Sequence, residues 1–198
     1  MKPHEQHRAR GKARLRLGVI TVSTSRYRGR ADGGRARDES GDLICGAARR
    51  SGNTVAYRAI VPDDVTDIRL KLLAAFKEGV DAVILTGGTG VSPTDVTVES
   101  VVPLLDKELP GFGELFRAES RAEVGTAAMM SRALLGVARG SVVACLPGSP
   151  DGAALGMKLL LPELPHISSI ARGGQERSPG AGVLPEVQGG AAAADAPP

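Results

Sequence analysis

The sequence predicts an α/β protein, a three-layer αβα sandwich with a mostly parallel sheet. Short apolar runs alternate with segments of helical periodicity, and this order favours parallel strands joined by right-handed crossovers. The third apolar run is bounded by a glycine cluster, as is common where a strand ends in a loop. The chain has 198 residues, 42% of them hydrophobic. It is long enough to form one such core and too short for two ordinary domains.

Three apolar runs in the first half of the chain predict strands. They lie at residues 15–22, 53–61 and 81–86. The second alternates apolar and other residues, whereas the first and third are typical of buried strands. All three are expected to belong to the parallel part of the sheet.

Two helices are predicted between these strands. The first runs from about Ser40, a plausible N-cap, to Arg50. The second follows the apolar spacing across residues 65–76, and Gly79 is expected to end it in a left-handed cap. Arginines follow the first strand among glycines and predict a solvated loop, although one or two could reach a triphosphate. They are Arg26, Arg28, Arg30, Arg35 and Arg37.

The second half of the chain continues the pattern. A helix is predicted over about 113–124, followed by two strands at 134–138 and 141–146 that a tight turn at 139–140 connects. The segment Leu146-Pro147-Gly148-Ser149-Pro150 then opens a final helix to about Leu161.

The ends of the chain differ from its centre in composition. Residues 1–14 and 173–198 are rich in small, charged, Pro and Gly residues, and both are expected to be disordered around a single α/β domain at 15–172. The net charge of +3 also belongs to the ends, because residues 17–172 have 18 basic and 18 acidic side chains. With three Phe and two Tyr the chain has no stacking platform, so nucleic-acid binding is not expected.

Cysteine and histidine form no recognisable metal or disulfide motif. Cys45 and Cys145 are far apart, and His166 stands alone outside the polar N-terminal segment. The basic N-terminus lacks the apolar core of a signal peptide, and no apolar run approaches the roughly 18 residues of a membrane span. We therefore expect a cytoplasmic protein without a membrane partner.

The loop at Gly87–Asp95 is the most informative of three that leave strand ends. Three glycines in four residues let backbone amides turn toward an anion. The loop is not a Walker A motif, because no Gly-Lys-Ser/Thr follows, and Pro93 stands where the third glycine of a dinucleotide fingerprint would be. The alternative is an ordinary turn, in which Ser92-Pro93-Thr94-Asp95 is a capping box that starts a helix.

Two aspartates follow predicted strands. If the strands before Asp63 and Asp95 are neighbours, both loops open on the same edge of the sheet and the carboxylates could share a Mg²⁺. The alternative is that each is a helix N-cap or a first-turn acid. Ser149 has the same ambiguity between an N-cap and an amide-rich phosphate site.

Four motifs in order resemble the Mog/MoaB family of molybdopterin adenylyltransferases over about residues 15–171. They are Leu85-Thr86-Gly87-Gly88-Thr89-Gly90 with Asp95-Val96-Thr97, Pro110-Gly111-Phe112-Gly113-Glu114, Met130-Ser131-Arg132, and Leu146-Pro147-Gly148-Ser149-Pro150. The resemblance implies the molybdopterin-binding type of αβα sandwich. The arginine-rich segment at 27–37 departs from the family pattern.

The resemblance also implies roles for particular residues. Asp63 and Asp95 would be the catalytic acidic pair that holds Mg²⁺ and positions ATP, and Ser131 would belong to the pterin-phosphate pocket. The expected nucleotide-binding backbone consists of Gly87, Gly88, Thr89, Gly90, Pro147, Gly148 and Ser149.

The implied reaction is transfer of AMP from ATP to the terminal phosphate of molybdopterin. The substrates would be molybdopterin and ATP, the assembly a trimer or hexamer, and a candidate protein partner the molybdenum-insertion protein. The alternative is a scaffold of the same pathway that binds molybdopterin without catalysis. Release of pyrophosphate from ATP would separate the two.

Overall fold

The computed structural model describes residues 14–31, 33 and 37–173. The predicted terminal segments lie outside the described residues, apart from Arg14 and Gly173, and so does Arg35. The strands are β1 (Arg16–Val22), β2 (Thr54–Val61), β3 (Ala82–Thr86), β4 (Lys107–Glu108), β5 (Leu134–Ala138) and β6 (Ser141–Leu146). The α-helices are α1 (Thr24–Ala31), α2 (Glu39–Arg50), α3 (Val65–Lys77), α4 (Thr97–Val101), α5 (Pro110–Val124), α6 (Pro150–Leu160) and α7 (Leu164–Ala171).

The six strands form one sheet in the order β2-β1-β3-β6-β5-β4. β1, β2, β3 and β6 run parallel, β5 is antiparallel to β6, and β4 is antiparallel to β5. The mostly parallel sheet is therefore confirmed. The shared-metal hypothesis supposed that β2 and β3 are neighbours. They are not, because β1 lies between them. Their carboxyl ends nevertheless open on the same edge.

Helices cover both faces of the sheet. Successive residues of β1 point to opposite faces, so Val19 packs in a cluster with Ile44 of α2, while the next residue, Ile20, packs in a cluster with Leu72 of α3. All four side chains are fully buried. α5 and α6 lie on the face of α2, and α4 lies on the face of α3. This is the predicted three-layer arrangement.

Two local predictions about the first loop and helix were wrong. The segment after β1 is a helix, α1, rather than a loop, because the carboxylate of Asp63 accepts hydrogen bonds from the Thr24 amide and hydroxyl at its start. The N-cap of α2 is Asp38, whose side chain accepts from the Gly41 amide at 3.1 Å, and not Ser40. Ser40 already lies inside the helix.

The hairpin between β5 and β6 is confirmed. Arg139 and Gly140 have φ of +53° and +71°, the combination that a two-residue type I′ turn requires. The two-residue strand β4 and the helix α7 were not predicted, and α5 begins three residues earlier than expected. Within the described part of the chain, no helix is long and apolar enough to cross a membrane.

Candidate active site

The loops after β3 and β6 pack directly against each other. The Gly87 amide donates to the Leu146 carbonyl at 3.1 Å, and the Thr86 hydroxyl donates to the Pro147 carbonyl at 2.8 Å. A Cβ on Gly148 would lie only 3.0 Å from the Gly87 Cα, so the two glycines are in backbone contact. The structure thus brings together the two backbone segments that were predicted to bind nucleotide.

The glycine-rich loop, residues 87–90, requires glycine at its first position. Gly87 has a φ of +99°, and a Cβ there would lie 2.2 Å from the Val22 carbonyl oxygen. Thr97 holds the loop from behind, because its hydroxyl donates to the Gly87 carbonyl at 2.7 Å and its amide donates to the Gly88 carbonyl at 2.9 Å. Arg132 Nε donates to the Thr89 carbonyl at 3.2 Å.

The carbonyls of this loop are therefore occupied on one side. The amides of Gly88, Thr89 and Gly90, in contrast, have no hydrogen-bond acceptor among the described residues. Consecutive amides left open in a turn form a concave site that suits the oxygens of a phosphate group.

Asp63 lies against this loop. Its Oδ2 accepts from the Thr24 amide at 2.9 Å and from the Thr24 hydroxyl at 2.7 Å, whereas its Oδ1 would lie 3.0 Å from a Cβ placed on Gly88. The N-cap of α3 is its neighbour Asp64, which accepts from the Thr66 and Asp67 amides. Asp63 therefore supports the start of α1 with one oxygen and faces the glycine-rich loop with the other.

Asp95 lies against Gly90, at the other end of the glycine-rich loop. Its Oδ2 accepts from the Ser92 amide at 2.9 Å and would be 2.7 Å from a Cβ on Gly90. The carboxylate-to-amide bond of a capping box is thus present, but no helix starts at Pro93, and α4 begins at Thr97 instead. The alternative interpretation was therefore right about the turn, but the helix start that it placed at Ser92 was wrong.

The two carboxylates suit a magnesium ion in their donor chemistry. Oδ1 of Asp63 and Oδ1 of Asp95 accept no hydrogen bond from any described residue, while the other oxygen of each is held by backbone amides. Mg²⁺ commonly takes one or two carboxylates and completes its shell with water and substrate phosphates. Over residues 14–31, 33 and 37–173, no group of three or more His, Cys, Asp or Glu side chains could hold a metal alone.

A cleft of about 370 Å³ opens beside Asp95. Arg132 and Glu99 form an ion pair at this cleft, and the hydrogen bond from Arg132 lowers the pKa of Glu99. An apolar wall with a few fixed polar groups is typical of small-molecule sites. The residues that line the cleft are Gly90, Val91, Ser92, Pro93, Asp95, Val96, Glu99 and Arg132.

Ser131 follows the 3₁₀ helix at Gly125–Met130. Its hydroxyl accepts from the Ala133 amide at 3.4 Å, and its carbonyl accepts from Arg117 at 3.3 Å. Ser131 does not line the cleft, although the next residue, Arg132, does. The structure thus places Ser131 beside the site and gives its hydroxyl no contact with the glycine-rich loop.

The loop after β6 has both structural and chemical features. Ser149 Oγ accepts from the Gly152 amide at 3.2 Å, so the N-cap interpretation of Ser149 is confirmed. The Ser40 hydroxyl donates to the Gly148 carbonyl at 2.7 Å and links α2 to the site. Asp38 anchors that helix start, since it is 2% exposed and pairs with Arg58 at 2.9 Å.

Three residues that contact the site loops were not predicted to act there. They are Ser40, Thr97 and Arg132. Thr97 and Arg132 stand inside motifs singled out in the sequence, but their contacts join positions 10 and 43 residues apart. The sequence around each residue does not predict which carbonyl its side chain binds.

Comparison with known proteins gives consistent matches. A family model described as "Probable molybdopterin binding domain" matches residues 18–166. The molybdopterin adenylyltransferase of Pyrococcus furiosus is 41% identical over 172 residues, covering 85% of this chain and 98% of that protein. The molybdenum cofactor biosynthesis protein B of Bacillus cereus is 41% identical over 166 residues, covering 82% of this chain and 94% of the relative.

Solved structures agree with these relatives. The crystal structure of the tungsten cofactor synthesizing protein MoaB from Pyrococcus furiosus has a TM-score of 0.73 and 42% sequence identity to this chain. The match covers 80% of this chain and 98% of that one. The similarity therefore extends over most of the chain and nearly the whole of the solved structure.

Proposed function

The chain belongs to the family of the probable molybdopterin binding domain, and we propose that it is a molybdopterin adenylyltransferase of molybdenum cofactor biosynthesis. The observation that carries the proposal is the glycine-rich loop, whose open amides at residues 88–90 lie between two aspartates with free carboxylate oxygens. This combination suits a triphosphate with a magnesium ion. ATP is the proposed co-substrate.

The proposed reaction needs little covalent chemistry from the protein. A terminal phosphate oxygen of molybdopterin attacks the α-phosphorus of ATP, a new P–O–P linkage forms, the bond between the α-phosphorus and its bridging oxygen breaks, and pyrophosphate leaves. Positioning and charge neutralisation supply most of the catalysis in such transfers. The amides of Gly88, Thr89 and Gly90 would donate to phosphate oxygens and hold them still. The loop at Pro147–Ser149 would complete this backbone surface.

Asp63 and Asp95 would hold Mg²⁺ through their free Oδ1 atoms. When bound, the ion would reduce the repulsion between two anionic substrates. The hydrogen bonds from Thr24 and Ser92 fix one oxygen of each aspartate and so orient the other. Each carboxylate is thereby set in place before a ligand arrives.

A covalent intermediate on cysteine finds no support. Cys45 and Cys145 are buried at 1% and 0% exposure, and burial raises the pKa of Cys145 to about 12. A buried, protonated thiol is a poor nucleophile. Direct transfer between the two substrates is the reaction that this chain favours.

We also propose that the chain assembles as a trimer or hexamer. Supporting this are four large apolar side chains on α5 and in the 3₁₀ helix after it, each more than half exposed. They are Leu115, Val124, Met129 and Met130. Large apolar side chains left exposed on neighbouring elements suit an interface between chains. Light scattering of the purified chain gives the mass, and a monomer would contradict this proposal.

The proposed activity is tested by incubating the chain with molybdopterin, ATP and Mg²⁺. Mass spectrometry should detect the adenylylated pterin, and a coupled assay should detect pyrophosphate. Asp95→Asn and Asp63→Asn should each lower the rate by roughly 10²-fold or more, a size typical of losing one preorganised electrostatic contact. Asp64→Asn is the matched control: Asp64 caps α3, and because asparagine caps a helix about as well as aspartate, this variant should keep both its stability and its rate.

Two outcomes would contradict the proposal. Molybdopterin binding without ATP-dependent pyrophosphate release would indicate the scaffold. A folded Asp95→Asn variant with normal turnover would remove Asp95 from the catalytic machinery. We also propose that the molybdenum-insertion protein is the partner that accepts the product, and that the chain works in the cytoplasm.

A further inference from the structure

We propose that Arg132 is a positioning residue that closes the glycine-rich loop, and that its guanidinium is not a ligand of the substrate phosphates. This inference rests on the proposed function of that loop. A cation at the edge of a phosphate site would ordinarily be assigned to phosphate binding. The hydrogen bonds of Arg132 point to a different role.

The guanidinium of Arg132 is nearly saturated. Nε donates to the Thr89 carbonyl at 3.2 Å, and NH2 donates to the Asp95 carbonyl at 3.2 Å and to Glu99 Oε2 at 3.3 Å. NH1 donates to Glu99 Oε1 in a short hydrogen bond. Of the five N–H donors of arginine, these contacts use four. A phosphate could engage Arg132 through only one N–H of NH1 unless it displaced protein acceptors, so the paired contact usual between a guanidinium and a phosphate is not open to it.

The two carbonyls that Arg132 holds bracket the site. Thr89 lies in the glycine-rich loop, and Asp95 supplies one of the two carboxylates, so one side chain ties the start of the segment to its end. Thr97 holds the two carbonyls before them, those of Gly87 and Gly88. Together Arg132 and Thr97 keep the loop carbonyls bound, which leaves its amides for an anion.

The loss of Arg132 would change the electrostatics of the loop as well as its order. Without Arg132 the peptide group of Thr89 can rotate, so that its carbonyl oxygen, rather than an amide, faces the position of the phosphate. Glu99 has its own part, because its paired carboxylate fixes the orientation of the guanidinium that reaches Thr89 and Asp95. Lysine could not replace Arg132, because one ammonium cannot reproduce the planar fork that spans three acceptor groups.

The experiment compares Arg132→Lys with the wild-type chain by amide hydrogen exchange at residue resolution. The informative amides are those of Asp95 and Thr97, which are bonded within the loop to the Ser92 and Gly88 carbonyls. We expect both to exchange at least tenfold faster in Arg132→Lys, while amides in the β1–β3 ladder remain unchanged. Arg121→Lys, on the exposed side of α5, is the control and should change neither set.

A second measurement separates positioning from direct binding. The affinity for ATP with Mg²⁺ should fall about tenfold in Arg132→Lys, and by a smaller factor in Glu99→Gln, in parallel with the faster exchange of the Asp95 and Thr97 amides. Weakened ATP binding with unchanged exchange would overturn the proposal and make Arg132 a phosphate ligand. Unchanged exchange and unchanged affinity would overturn it as well.

The exchange measurement also keeps this inference separate from the enzymatic one. A wild-type chain that fails to release pyrophosphate would refute the proposed function, while faster loop exchange in Arg132→Lys would still support the positioning role. If Arg132→Lys does not fold, Glu99→Gln gives the same test, because it removes the charge that orients Arg132 and leaves the arginine in place.

Discussion

Gly88→Ala should destabilise the chain far more than an alanine at another glycine with the same backbone handedness. Gly88 has a φ of +59°, and a Cβ there would lie 2.6 Å from Thr97 Oγ1 and 3.0 Å from Asp63 Oδ1. Gly52 has a φ of +82°, and a Cβ there would meet nothing within 4 Å. Comparing the two substitutions separates crowding from backbone strain.

The magnitude follows from what the new methyl group displaces. Both variants carry the strain of a positive φ, about 1 to 2 kcal/mol, less a small gain from the stiffer unfolded chain. In Gly88→Ala the Thr97 hydroxyl must also turn away, which leaves the buried Gly87 carbonyl without that partner at a cost of about 1 to 3 kcal/mol. At about 2 to 4 °C per kcal/mol for a chain of this size, Gly88→Ala should melt roughly 2 to 12 °C below Gly52→Ala.

Thermal unfolding at matched protomer concentration measures this difference, because assembly would otherwise shift the melting temperature. Titration with ATP and Mg²⁺ should also show weaker binding by Gly88→Ala than by Gly52→Ala. Equal melting temperatures would refute the reasoning, since they would mean that the loop relaxes without losing the Thr97 contact.

Three further predictions concern other parts of the chain. Ser131→Ala tests the role in the pterin-phosphate pocket that the family resemblance implies: molybdopterin binding should weaken by about 1.5 to 3 kcal/mol, the range for a hydrogen bond to a charged group, and ATP affinity should stay nearly intact. Separate titrations with the two ligands decide this, and unchanged binding of both would remove Ser131 from the site. Arg172→Ala should lower the free energy of unfolding by about 1 to 3 kcal/mol, because Arg172 pairs with Asp81 at 3.1 Å. Deleting residues 174–198 should leave the free energy of unfolding and the melting temperature unchanged. An equal loss of stability in the two variants would contradict this prediction. Burial raises the pKa of Cys145 from 9.0 to about 12, so its contribution to stability is present below pH 9 and declines as the pH rises toward 12. Between pH 9 and pH 12, the free energy of unfolding measured in urea should therefore fall less steeply with pH in Cys145→Ala than in the wild-type chain. Identical slopes against pH would contradict the raised pKa of Cys145.

The sheet was predictable because its signal is local. Short apolar runs bounded by turn residues predicted five of the six strands, and the two positive φ angles at Arg139 and Gly140 follow from the spacing of the last two runs. β4 escaped prediction because two exposed residues carry no periodic signal.

The caps were less predictable, because distant residues supply them. α1 has no acidic residue in its first turn, and Asp63, which is 39 residues away from Thr24, supports its start. Asp38 and Ser40 are both good capping residues by type, so the pattern alone could not choose between them. The contact of Asp38 with Arg58 on β2 favours Asp38.

The candidate site shows the same division. The positions of Asp63 and Asp95 after strands predicted that they would share an edge, although the intervening β1 could not be foreseen from their spacing. Arg132 was visible as a motif residue, but its partners are the carbonyl groups of Thr89 and Asp95, and a sequence shows no carbonyl directions. Backbone acceptors of this kind become visible only in three dimensions.

The position of β6 in the sheet has a consequence for the chain during its synthesis. β6 pairs with β3 on one side and with β5 on the other, yet it comes last of the six strands along the chain. Until residue 146 has emerged from the ribosome, the apolar strand β3 has one edge without its neighbour. Such an edge is a template for pairing with other chains. Truncated products that end before Ser141 should therefore aggregate. Pairing of β6 with β3 covers the exposed edge and removes this risk.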